Sequence, residues 1–302
     1  MTMTAVQSVA TGTNPPRRAA KPPLPRFTAS AVWVVGVVGA LALWALIYPI
    51  LIGALQEQDT QQQLFGELRY ELSQATAPLG PTTYGRPVAL LDSPGAGLHG
   101  AVVVEGTGGQ DLQKGPGHLK GSVLPGQIGT SVLLGRSVTF GAPFRQVGRL
   151  HRGDEITVTT GQGEFRYVVE RLRHPGDPNP PALGADQSRL VLGTAAGSGW
   201  RAGFAPTSVV YADALLRGKA QPSDGRASQL AVSAAEWPMG TSTQPLLLLV
   251  LWLQGLLVSV VAACWLTARW GWVRAWVVAV PVLLAVGIGA SGAAAQMLPN
   301  TF

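Results

Sequence analysis

Hydrophobic and polar positions alternate on three different rhythms along this chain. Ala29–Leu55 is a run of 27 residues without a charge, and Leu246–Ala268 and Ala275–Leu298 are two more uncharged runs near the other end. A helix needs about 20 apolar residues to cross a bilayer, so each run predicts a transmembrane helix. The apolar core of a cleaved leader spans only about 7–15 residues. The first run therefore predicts a retained anchor. Just beyond it, Leu64, Leu68 and Leu72 recur every four residues with Phe65 beside them. This spacing predicts a helix over 56–77 that packs against a domain or a membrane surface, stopped by Pro78 and Pro81.

From Arg86 to Ala212 the rhythm shortens. The segments VALLD (88–92), AVVVEG (101–106), TSVLLG (130–135), EITVTT (155–160), EFRYVVERL (164–172), RLVLGT (189–194) and TSVVYA (207–212) are separated by glycine and proline turns. The GQG between the fourth and fifth is a hairpin signal. Seven or eight short strands in this length predict a closed or nearly closed β-barrel. The domain organisation read this way is a basic, proline-rich tail (1–28), a first span (29–55), a stalk helix (56–80) and a barrel (81–215). A polar linker (216–245) and two further spans (246–268 and 275–298) complete it. The class is mainly β with three transmembrane helices.

Charge placement changes the picture. The net charge of +6 invites a nucleic-acid reading, but the first 55 residues hold only Arg17, Arg18, Lys21 and Arg26 as charges, and Arg269 and Arg274 are the only charges after Pro245. All the acidic residues lie between, balanced by an equal number of basic ones. The excess therefore flanks the apolar runs, which is a topology signal and argues against a nucleic-acid surface. It predicts a multi-pass plasma-membrane protein with a cytoplasmic N-terminus and an extracellular barrel and C-terminus. Trp33, Trp252, Trp265, Trp270, Trp272 and Trp276 fit interfacial anchors, and Gly287, Gly289 and Gly292 fit close helix packing. No ionisable group lies inside a span, so transport is not expected. The single cysteine, Cys264, falls in an apolar run and excludes an intrachain disulfide. No Cys/His cluster, carboxylate set or phosphate-binding glycine loop appears, so no metal or cofactor is expected.

Three linked stretches carry a resemblance. They are VVVEGTGGQDLQKGPGHLKGSVLPGQIG (102–129), LLGRSVTFGAPFRQVGRLHRGDEITVTT (133–160) and RLVLGTAAGS (189–198). In order and spacing they resemble the sortase family, in particular its class E type from Gram-positive actinobacteria. The resemblance implies an eight-stranded barrel outside the membrane and cysteine transpeptidase chemistry on sorting peptides at the cell wall. That chemistry needs a thiol nucleophile, an imidazole acid and a guanidinium for the oxyanion. Aligned on the surrounding motifs, the histidine position holds Arg136, the cysteine position Ala195 and the arginine position Thr207.

The expectation is a pseudoenzyme that binds instead of cutting. Its groove would comprise Arg136, Ser137, Thr194, Ala195, Ser198, Arg201 and Thr207. It would hold a protein or cell-wall element, with other membrane proteins meeting the last two helices. Arg136 is expected to face solvent in the vacated groove or to contact a carboxylate or phosphate there. His118, in GPGH, belongs to a family feature outside the triad. His99, His151 and His174 read as solvated turn residues. The rival reading is a hydrolase or transpeptidase using Ser131, Ser137 or Ser198, and a third is a regulator of an active sortase. The closing LPNTF (298–302) resembles a sorting motif, but no apolar span or basic tail follows it. Leu-Pro is also a usual helix terminator, so a chance match is expected, with an intramolecular pseudo-substrate as the residual idea.

Overall fold

The computed structural model describes residues 43–44, 47–197, 208–223 and 232–302. Eight strands form a closed barrel: β1 (Pro87–Ser93), β2 (Leu98–Glu105), β3 (Gly117–His118), β4 (Gly129–Gly135), β5 (Glu155–Thr160), β6 (Gly163–Arg173), β7 (Ser188–Ala196) and β8 (Ser208–Arg217). Their order around the barrel is β1-β2-β3-β4-β7-β8-β6-β5, with β5 returning to β1. The β2–β3 and β4–β7 pairs are parallel. β5 shows why a period of two builds this wall. Ile156, Val158 and Thr160 point into the barrel while Thr157 and Thr159 stay partly exposed. β7 is buried along almost its whole length. It therefore reads as a continuous apolar run, as a doubly covered parallel strand does. Val88, Leu91, Val103, Leu133, Phe144, Ile156, Tyr167, Leu190 and Leu192 fill the interior. The GQG hairpin forms as expected, with Thr160 opposite Gly163.

Helix α1 (Gly53–Ser73) continues without a break from a π-helical turn at Tyr48–Ile52. The expected boundary between the first span and a stalk at 55/56 is thus the interior of one helix. Most of the first apolar run lies outside the described residues. Leu64 and Leu68 pack on Val102 and Val104 of β2. Gln61 donates to Val102 O and Lys114 O and accepts from Val102 N, so its amide caps the β2 backbone. The helix ends at Ser73, ahead of Pro78. Ala75 turns left-handed (φ 54°), and the Ala75 and Thr76 amides return to Leu72 O and Glu71 O. This is a Schellman cap built without glycine.

Past β8, residues 232–245 are not a free linker. Tyr84 Oη donates to Glu236 Oε1, and Thr107 Oγ1 donates to Glu236 O. Two long apolar helices follow, α2 (Leu246–Trp270) and α3 (Trp272–Ala295), joined at Gly271. Both are long and apolar enough to cross a membrane. α2 buries none of its side chains, and Leu247, Leu257, Val273 and Val277 are among the exposed apolar residues of the pair. Apolar surface on that scale calls for a covering phase. The glycines of α3 meet large rings, as the sequence suggests. A β-carbon on Gly289 would lie 2.6 Å from the Trp252 ring, and Gly292 faces Tyr48. Trp44 Nε1 donates to Ser291 Oγ at 3.0 Å, so the chain ahead of α1 also packs on α3 at Trp44.

Candidate functional site

The parallel pairing of β4 with β7 builds one end of the barrel. Gly135 pairs with Thr194, whose hydroxyl donates to Gly135 O at 2.9 Å. Arg136 is the next residue on one strand and Ala195 the next on the other. The structure thus gathers Arg136, Ser137, Thr194 and Ala195 at one end of the sheet. Ser198, Arg201 and Thr207 lie outside the described residues.

Arg136 does not face solvent. It is 0% exposed, the largest of the fully buried side chains. Its Nε donates to Leu112 O at 3.1 Å, Nη2 to Gly109 O at 2.9 Å and Nη1 to Thr139 Oγ1 at 3.0 Å. The guanidinium lies 4.9 Å from the Phe140 ring centroid. Burial pulls its pKa down to about 9, so it remains cationic at neutral pH. Among the described residues no carboxylate pairs with it. The planar fork explains how a buried cation persists here: it offers donors in three directions, to two fixed carbonyls and the Thr139 hydroxyl. The expected exposure fails because the loop after β2 folds over this side chain.

The stretch after Arg136 is strained. Phe140, Gly141 and Ala142 all have positive φ, at 48°, 69° and 49°. Left-handed non-glycine residues cost about 1–3 kcal/mol each and persist only where surroundings hold them. Phe140 N donates to Pro49 O, and its ring fills the space where Gly53 lacks a side chain. The other restraint is the end of the sequence. Ser137 N and Oγ donate to Thr301 O, and Thr139 N and Oγ1 donate to Phe302 O. Pairing of the LPNTF stretch with this loop departs from the expected chance match and follows the residual idea of an intramolecular segment.

Of the serines weighed as nucleophiles, Ser131 is fully buried and Ser137 is engaged with Thr301. A different serine has the neighbours a nucleophile needs. Ser122 Oγ lies 3.1 Å from His118 Nε2, and His118 Nδ1 lies 3.1 Å from Glu105 Oε2. All three side chains are buried. His118 Nε2 also faces Val123 O at 2.9 Å, and Ser122 Oγ donates to Leu119 O and accepts from Val132 N. A carbonyl only accepts, so Nε2 carries its hydrogen and is not a bare base. This trio clamps the β3–β4 connection. The two-residue strand β3, too short to read as a strand, places it. Cys264, the single thiol, sits in apolar helix α2.

A sortase domain family model matches residues 91–195. Sortase D of Bacillus subtilis (strain 168) is 35% identical over 94 residues, which are 30% of this chain and 46% of that protein, so the match spans about half of the relative. A Clostridium perfringens sortase D5 transpeptidase structure aligns over 53% of this chain and 99% of its own, at 22% identity and a TM-score of 0.45. Sortase E from Streptomyces avermitilis aligns over 49% and 99%, at 28% identity and a TM-score of 0.38. The family match runs from the end of β1 through β2–β6 and almost all of β7, the strands that build the Arg136 end of the barrel, and it is in this domain that the chain is similar to sortases.

Proposed function

We propose that this chain is a membrane-anchored, non-catalytic sortase, a pseudoenzyme that binds a protein or cell-wall element at the cell surface. The burial of Arg136 carries the reading. At the position where the resemblance calls for a mobile imidazole, this chain has a cation whose three donor directions are spent on backbone carbonyls and Thr139. An alanine at 195 offers no nucleophile, and the chain's one thiol lies in α2. The Ser122–His118–Glu105 contacts do not rescue the serine alternative, because their hydrogens are committed to carbonyls. The class E, actinobacterial affinity and the orientation belong to the same proposal. The basic tail and the Arg269/Arg274 turn would lie inside, with the barrel outside. The groove in this reading comprises Ser137, Thr194, Ala195, Ser198, Arg201 and Thr207, with the buried Arg136 supporting it from beneath and α2 and α3 meeting other membrane proteins.

Incubation of the purified full chain with a sorting peptide and an amine acceptor tests this directly. Neither cleavage nor transfer is expected, and a serine-reactive probe leaves the chain unlabelled. Turnover of the peptide would overturn the proposal. Crosslinking in native membranes identifies what the surface holds, and capture of an active sortase would favour a regulatory role.

A further inference from the structure

Residues Pro299–Phe302 leave α3 and run across the Arg136 end of the barrel. Asn300 and Thr301 are fully buried, which is unusual for polar residues beyond the end of a helix. The receiving surface is made of three separate pieces of chain. Asn300 Nδ2 lies 2.8 Å from Thr107 O, 2.9 Å from Trp237 O and 3.2 Å from Ala235 O. Asn300 N donates to Gly240 O, and Thr301 Oγ1 accepts from Met239 N. The Thr301 and Phe302 carbonyls accept from Ser137 N and Thr139 N, and the Thr139 hydroxyl donates to Phe302 O at 2.8 Å. The surface holds an Asn-Thr segment through carbonyls around the Asn300 amide nitrogen, a hydroxyl contact and paired backbone donors, while Asn300 Oδ1 is buried without a partner.

Arg136 belongs to the same construction. Its Nη1 donates to the Thr139 oxygen that in turn donates to Phe302 O. Its Nη2 holds Gly109 O, and a β-carbon on Gly109 would lie 2.8 Å from Gln296 O where α3 ends. The buried cation thus fixes two of the three pieces of chain that receive the peptide. The loop it fixes is also the one with three left-handed residues in a row, a conformation needing outside restraint.

We propose that this surface is a peptide-binding site for an extended Asn-Thr segment, occupied in cis by Pro299–Phe302, and that this strap masks the Ser137–Thr139 face until it is released. The regulatory half rests on the binding role proposed above. Release removes the partners of the Ser137 and Thr139 amides and uncovers the loop beside Arg136. A segment of the same chemistry from a second copy would fit the same surface.

Hydrogen exchange of the detergent-solubilised full chain reads the strap. The Ser137 and Thr139 amides are expected to exchange slowly. Asn300→Ala, which removes the amide selector, and a chain ended after Leu298 should each speed them about tenfold or more, while β4 and β7 amides stay protected. In a Cys264→Ser background, Ser137→Cys should gain reactivity to a hydrophilic maleimide by a similar factor when the strap is removed. Exchange and labelling unchanged by either alteration would overturn the inference. Should the shortened chain fail to fold, Asn300→Gln gives a second reading, since its longer side chain misplaces the same amide; slow exchange in that variant overturns the selector role. Membrane crosslinking separates the two proposals. A higher yield of captured partner without the strap supports masking. Rapid exchange with no partner captured in either form overturns the binding role and leaves the cis-occupied site standing.

Discussion

Glu57 sits on α1 at a cleft lined also by Gln61, His99, Arg145 and Gln146. Burial raises its pKa from 4.5 to about 7. Asp111, in the loop that folds over Arg136, is raised to about 6, chiefly by burial, with Lys114 pulling the other way. The sign of the linkage follows. Between its unfolded and folded pKa the folded chain holds the proton that the unfolded chain has lost, so stability falls as pH rises through that window. For Glu57 the window runs from about pH 4.5 to about pH 7. Glu57→Gln keeps the hydrogen-bonding shape without the charge. It should melt higher than the parent at pH 8 and match it near pH 4, with the remaining decline below pH 6 assigned to Asp111. Melting curves of the full chain across pH 4–8 check this; a parent curve that climbs through that range would refute it. Arg136 illustrates the limit of single-residue reading. Its identity was visible at once, yet its burial depends on Gly109, Leu112 and Thr139, two of which lie more than twenty positions away.

At the scale of elements, period carried most of the legible structure. β1, β2, β4, β5, β6, β7 and β8 all fall on runs of apolar residues between turn signals, because one face of each must fill the barrel. β3 escaped because two residues have no period. The end of α1 escaped because Ala75 takes the left-handed position that glycine usually marks. The barrel's candidate groove was placed by the motifs around it, but the docking of 233–240 and 299–302 came from tertiary contact alone. The helical pair offers a sharper contrast. Gly289 has Trp252 ring atoms at 2.6 Å from where a β-carbon would stand, while at Gly255 the nearest atom is Val286 Cγ1 at 3.7 Å. Gly289→Ala must push a rigid indole aside and should cost about 1–3 kcal/mol. Gly255→Ala meets ordinary contact and should gain up to about 1 kcal/mol from helix propensity. Unfolding of both variants in the same detergent decides it, and equal effects would mean that the α2–α3 packing differs from that seen here.

For the whole molecule, the described helices and the strap set how the barrel sits against α3. α1 continues from a helical turn beside α3, held by Trp44 to Ser291, and the strap returns from α3 to the Arg136 loop. The barrel is therefore gripped by chain on two sides, from the helix entering it and from the helix that follows it. The orientation proposed above rests on charge: cationic loops resist translocation, and the four basic residues of the tail together with Arg269 and Arg274 fall on one side of the proposed three-span topology. In intact cells carrying a Cys264→Ser background, a membrane-impermeant thiol reagent should label Asn179→Cys, exposed on the loop between β6 and β7. Trp270→Cys, at the α2–α3 turn, should stay unlabelled until the membrane is permeabilised. The reverse pattern would put the barrel in the cytoplasm, where no cell-wall element reaches it, and the surface-binding role would fall with the orientation.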